Sequence, residues 1–198
     1  MDAVIIDSGG ANLASLQFAF ERLGAKTQVS ADAREIRAAP RVILPGVGSA
    51  GDAMTRLRAN RVAELLPTLT QPVLGICLGM QLLFQSSEEG DTECLGILPT
   101  SVRRLRPEDG RPVPHMGWNQ LALVRDDPLL EGIGPNDYVY FVHSFAAQVS
   151  DVTVASADYG TTLSAIVRRG NFWGTQFHPE RSARVGARVL ANFLQLAV

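Results

Sequence analysis

The chain is poor in the residues that cross-link a small protein or hold a metal. Its 198 residues include two cysteines and three histidines. Cys77 and Cys94 form neither a Cys-x-x-Cys motif nor a cysteine framework, which excludes a disulfide scaffold and predicts free thiols in a reducing compartment. His115, His143 and His178 are too scattered to make a ligand cluster, so no metal and no cofactor is expected. Neither charge sign is in large excess, with 18 basic and 20 acidic residues and a net charge of −2. That balance offers no electrostatic case for nucleic acid or an anionic membrane. Lysine is nearly missing, Lys26 standing alone against 17 arginines, a chain-wide habit rather than seventeen separate choices. Long apolar runs are missing too. Positions 65–87 carry no charge, but Pro67, Gln71 and Pro72 interrupt them, and the dense part, 73–84, falls short of the roughly 20 residues that cross a bilayer. With Asp2 and only four apolar residues before Asp7, the beginning does not read as a signal peptide, so a soluble, cytoplasmic protein is expected.

Apolar material is plentiful, at 46% of the chain, enough for a core that needs no staple. The length suits one domain over 1–198, with no repeat, low-complexity tract or linker. The first half alternates short strand-like runs (3–7, 26–30, 41–44 and 73–76) with helical patterns. Leu13, Leu16, Phe20 and Leu23 recur at helical spacing after a capping Asn12 and before Gly24. Further helices are predicted over 33–38, 50–66 and 78–85. In the second half strand-like runs dominate, at 102–105, 121–124, 138–143, 152–155, 163–168 and 172–176, and their turn-separated pattern predicts antiparallel pairing. A last helix is predicted over 182–196. The order implies an α/β fold, with a mostly parallel central sheet flanked by helices and an antiparallel extension in the second half.

The sharpest chemical signal is Gly75-Ile76-Cys77-Leu78-Gly79, where an apolar strand meets a helix. Glycines on both sides of a nucleophile permit the tight turn that pushes its side chain outward. A helix starting just after Cys77 also favours the thiolate. A nucleophilic thiol needs a base, and His178 lies in Phe177-His178-Pro179-Glu180. Proline holds the preceding residue extended, so His178 and Glu180 project to one side and the carboxylate can orient the imidazole. His143 ends an alternating aromatic run and is a weaker candidate base. His115, among prolines and glycine, reads as a loop contact, and Cys94 as a buried hydrophobe. Residues 46–51 match Gly-x-Gly-x-x-Gly, yet about 20 positions on stand Gln71 and Pro72 rather than the acid a ribose needs. The loop is better read as one that offers backbone N–H groups to an anionic intermediate.

These three segments, in this order and spacing, resemble the class I (triad) glutamine amidotransferases over essentially the whole length. Segments 113–119 and 140–144 look like the branch that forms the glutaminase subunit of imidazole glycerol phosphate synthase. The resemblance implies attack by a cysteine on the side-chain amide of L-glutamine, release of ammonia and hydrolysis of a γ-glutamyl thioester. It assigns Cys77 as nucleophile, His178 as base and proton donor, and Glu180 as orienting acid. Backbone N–H groups at Leu78 and at Val47 or Gly48 match the oxyanion hole. Gly51, Gln81, His143 and Ser144 match positions that hold glutamine. It implies a heterodimer with a (β/α)8 cyclase subunit that consumes the ammonia, with Asn12, Trp118 and Arg181 near the interface and the ammonia passage.

The sequence departs from the family's pattern in three places. Arg181 replaces a common lysine, Phe145 a common tyrosine, and an aromatic residue often found after the first aspartate is absent. Glutaminases of anthranilate or pyridoxal phosphate synthesis are the near alternatives, and segment 113–119 disfavours them. A γ-glutamyl peptidase working without a partner, or a regulatory paralogue that binds without turnover, are the more distant ones.

Overall fold

The apolar runs of the first half become strands buried on both faces, as a parallel sheet between two helical layers requires. The computed structural model describes residues 1–8, 13–46, 48–135 and 137–197. In chain order the first half comprises β1 (Ala3–Ile6), α1 (Leu13–Arg22), β2 (Thr27–Ser30), α2 (Ala33–Ala38), β3 (Val42–Leu44), α3 (Ala50–Ala59), α4 (Val62–Leu65), β4 (Val73–Ile76) and α5 (Leu78–Leu82). Every residue of β1, β3 and β4 is buried. The pairings β2–β1, β1–β3 and β3–β4 are all parallel. The helix predicted over 50–66 is broken, because Arg61 adopts a left-handed φ of 56° between α3 and α4. Ser49 caps α3 by accepting the N–H of Asp52.

The second half supplies β5 (Ser86–Ser87), β6 (Thr92–Glu93), β7 (Ser101–Arg104), β8 (His115–Gln120), β9 (Ala122–Leu123), β10 (Tyr138–His143), β11 (Phe145–Ala147), β12 (Thr153–Asp158), β13 (Thr162–Arg169), β14 (Phe172–Thr175) and α6 (Ala183–Gln195). The main sheet runs β2-β1-β3-β4-β14-β13-β12-β9. β13, β12 and β9 form its antiparallel extension. β14 corrects the expectation for 172–176. It is antiparallel to β13 but parallel to β4, with Phe172 opposite Val73 and Thr175 opposite Ile76. A tight turn makes β13 and β14 a hairpin, which leaves the other edge of β14 to complete the parallel core. Asn171 fixes that register: its carbonyl accepts the N–H of Val73, and its side chain donates to the carbonyls of Leu69 and Gln71.

Two smaller sheets stand apart from the main one. One is the antiparallel ribbon β8–β10, and the other joins β11, β7, β5 and β6. His115, expected in a loop, begins β8 and is buried. α1 and α6 cover one face of the main sheet, placing Leu16, Phe20, Val189 and Phe193 against Ile5 and Leu74. α2 to α5 cover the other, with Ile36, Met54 and Leu57 against Val4 and Leu44. Among the described residues no helix is long and apolar enough to cross a membrane.

Candidate active site

β4 ends at Ile76, and α5 begins two residues later. The chain reverses at Cys77, which takes φ 53° and ψ −111°. A non-glycine residue there is strained and persists only where its surroundings dictate it. The surroundings are three glycines at van der Waals contact. A Cβ on Gly79 would collide with the carbonyl of Leu44, one on Gly46 with the backbone of Gly79, and one on Gly75 would lie 2.7 Å from the Gly79 oxygen. The Gly-x-Cys-x-Gly signal is thus a packing requirement, in which α5 starts directly against the end of β3. The N–H of Cys77 donates to Thr175 of β14 at 2.7 Å, which ties the turn to the neighbouring strand.

His178 follows β14 in an extended conformation, with φ −95° and ψ 101°. Its Nδ1 lies 2.8 Å from Glu180 Oε1, and both side chains are largely buried. Burial disfavours the charged imidazole, but contacts with Cys77 and Glu180 outweigh it and hold the His178 pKa up at about 10. The ring is therefore an imidazolium at neutral pH, with Nδ1 on the carboxylate and Nε2 left for the sulfur. A thiol, an imidazole and a carboxylate in this order can attack a carbonyl carbon and return a proton to a leaving amine. The other oxygen of Glu180, Oε2, is buried without a partner among the described residues.

Cys77, His178 and Glu180 open onto one cavity of about 420 Å³. Gly48, Leu78, Gln81, His143, Ser144 and Arg181 line it too. Gly48 takes φ 89°, which a side chain would resist. The N–H of Leu78, first in α5, has no acceptor within the helix. Gly51 sits in the first turn of α3, outside the lining, with Thr92 beside it. Asn12 and Val47 lie outside the described residues. Arg181 stands at the mouth with its guanidinium carbon 4.8 Å over the ring of Tyr140, which in turn meets Trp118 edge-on at 5.9 Å.

Sequence reasoning missed two lining or neighbouring residues. Glu89 lines the cavity, and its carboxylate accepts the N–H of Ala50 at 2.8 Å. In the sequence it belongs to an acidic pair in a loop, the pattern of an ordinary solvated turn. Gln176, fully buried, places its amide nitrogen 3.8 Å from Cys77 Sγ. Its position two residues before His178 was the available signal, since alternate residues of a strand share a face.

His143 lines the cavity, but both of its ring nitrogens are engaged within the protein. His143 Nδ1 donates to the carbonyl of Phe145 at 2.8 Å, and Nε2 lies 3.0 Å from His115 Nδ1. His115 is stacked between Phe141 and Tyr159. Burial pushes the pKa of His143 down to about 3 and that of His115 down to about 4. Both are neutral when folded, whereas in the unfolded chain they take up protons below about pH 6.5. Stability therefore falls on acidification from pH 6.5 towards 4, with a slope approaching two protons. His178 acts in the opposite window, its contribution being complete below 6.5 and lost as pH rises towards 10. Thermal melts at pH 7, 6 and 5 should show a steady loss of midpoint; a midpoint constant down to pH 5 would refute the neutral pair.

A family model described as "Glutamine amidotransferase class-I" matches residues 4–196. A relative from Xanthomonas axonopodis pv. citri, "Imidazole glycerol phosphate synthase subunit HisH", is 54% identical over 196 residues, covering 99% of this chain and 98% of its own. One of the same name from Idiomarina loihiensis is 51% identical over 198 residues, the full length of both. A solved glutamine amidotransferase structure superposes with a TM-score of 0.75 over 98% of each chain at 18% identity, a likeness of fold alone.

Proposed function

The chain belongs to the class I glutamine amidotransferases, and within them we propose that it is a single-domain glutaminase over 1–198, the subunit of an imidazole glycerol phosphate synthase that feeds ammonia into histidine biosynthesis. The observation that carries this reading is the strained Cys77 facing an imidazole backed by Glu180, in a chain more than half identical to subunits of that name.

In this reading Cys77 Sγ attacks the side-chain amide carbon of L-glutamine. The N–H of Leu78, with one from the loop at Val47 or Gly48, holds the resulting oxyanion. His178 gives its proton to the nitrogen, ammonia leaves, and a γ-glutamyl thioester remains on Cys77. His178 then takes a proton from water as it attacks the thioester, and glutamate departs. Glu180 keeps Nδ1–H oriented throughout. Gln81 and the segment His143–Ser144 hold the rest of the substrate, and Glu89 offers a carboxylate to its α-ammonium group.

Ammonia released to water at neutral pH becomes ammonium, a poor nucleophile, so it must pass directly to a second subunit. The ribbon β8–β10 offers a docking face. Alternation along it turns Met116, Trp118 and Tyr138 outward and leaves all three exposed, beside Tyr140 and Arg181 at the cavity mouth. A (β/α)8 cyclase subunit in a cytoplasmic heterodimer is the partner that fits the relatives' name, with Asn12, Trp118 and Arg181 near the interface. The test is ammonia release by the chain alone and with such a cyclase carrying its ribonucleotide ligand. Low activity alone should rise roughly ten- to hundredfold in the complex, a coupling of ordinary size. Full activity alone, indifferent to partner and ligand, would mark a stand-alone amidase or peptidase.

A further inference from the structure

Two runs of hydrogen bonds meet at the Phe145 carbonyl, and one of them leads to the reactive sulfur. The Phe145 carbonyl can only accept, and it takes two donors, His143 Nδ1 and Gln81 Nε2, each at 2.8 Å. That fixes which way the Gln81 amide faces. Its second N–H meets Gln176 Oε1 at 3.0 Å, and Gln176 must therefore turn Nε2 towards Cys77 Sγ, 3.8 Å away. On the far side, a neutral His143 that donates through Nδ1 has to accept at Nε2 from His115 Nδ1–H. His115 Nε2 then accepts from Asn119, whose other amide hydrogen goes to the Asp158 carbonyl. Every donor and acceptor along this path has one consistent assignment.

We propose that Gln176 is a further catalytic residue: its amide donates to Cys77 Sγ and stabilises the thiolate, and the path from the Phe145 carbonyl through Gln81 holds that amide in the donating orientation. The proposal rests on Cys77 being the nucleophile. A donor aimed at the sulfur favours the charged form, since hydrogen bonds to charged groups are the stronger ones. Gln176 has no freedom to turn away, being fully buried with its own N–H tied to Ala165. His178, backed by Glu180, is the titratable side chain paired with Cys77, and the variants below keep both.

The probe is iodoacetamide, applied to the isolated chain without glutamine from pH 6 to 10, with alkylation of Cys77 and the buried Cys94 resolved by mass. Gln176→Met should lower the Cys77 rate at pH 7 about tenfold, the equivalent of one hydrogen bond to a charged group. The deficit should close at high pH, where the thiol ionises unaided. Gln176→Glu should lose at least as much, because it matches the shape and still accepts from Gln81 but sets a carboxylate against the thiolate. If Gln176→Met does not fold, Gln176→Glu decides. In both, kcat for glutamine should fall with KM little changed. A folded Gln176→Glu with the wild-type alkylation profile overturns the proposal, since a purely structural role is met by that shape. A wild-type chain whose Cys77 reacts no faster than Cys94 overturns the nucleophile assignment itself, whatever the variants do.

Discussion

Cys77→Ala should abolish ammonia release from glutamine, a loss of at least about a thousandfold, the size expected if the proposed nucleophile of a triad is removed. The fold survives the change. Alanine meets the strained φ of 53° no worse than cysteine does, the sulfur's contacts with Gln176 and the Val142 carbonyl are long ones, at 3.8 Å, and His178 keeps its bond to Glu180 when the sulfur is removed. The melting temperature should therefore stay close to that of wild type while turnover vanishes. Residual turnover above about one part in a hundred would show that another group carries the reaction. Glu180→Gln belongs on the same scale but lower, because it keeps an acceptor near Nδ1 and removes the charge that holds the imidazolium; about a hundredfold is the expected size. Steady-state kinetics on the two variants give the order.

Gly79→Ala is the second large effect, and it acts through packing. The added methyl would be driven into the Leu44 carbonyl, which belongs to a central strand and cannot swing aside as a side chain does. Overpacking of this kind costs about 3 kcal/mol, which for a chain of this size lowers the melting temperature by roughly 10 °C. Relief would come from moving α5 away from β3, which also displaces the Cys77 turn and the Leu78 N–H, so kcat/KM should fall more than tenfold along with stability. Gly134→Ala is the control, since its added methyl meets nothing within 4 Å. A thermal melt of Gly79→Ala unchanged from wild type would refute the account of the elbow.

The parts of this molecule that were legible in the sequence are those encoded by neighbours in the chain. Gly75, Cys77 and Gly79 announce the elbow because their spacing is itself the packing solution, and His178-Pro179-Glu180 announces its ion pair through two-residue alternation. The helices α1 and α6 and the four strands of the first half follow from periodicity. What the sequence left unread depends on partners far away along it. No local pattern says that β14 pairs parallel with β4, because its apolar run is equally suited to either direction. His115 was masked by its proline and glycine neighbours, although its ring lies between Phe141 and Tyr159. Gln176 acquires its meaning only through Gln81, 95 positions earlier, and Glu89 only through the helix start it caps.

The placement of β14 in the middle of the sheet also sets the timetable of synthesis. A chain growing from its N-terminus makes β1 to β4 and the cysteine turn early, while the strand that completes the sheet is separated from them by almost a hundred residues. Closing a loop of that length costs roughly 4 kcal/mol of chain entropy, recovered only when β14 docks beside β4 and carries His178 and Glu180 in with it. Until then the nascent chain holds Cys77 without the imidazole and carboxylate that share its cavity. Completion of the sheet and assembly of the site are one event, so a chain cut short before β14 lacks both the architecture and the side chains that share the cavity of Cys77.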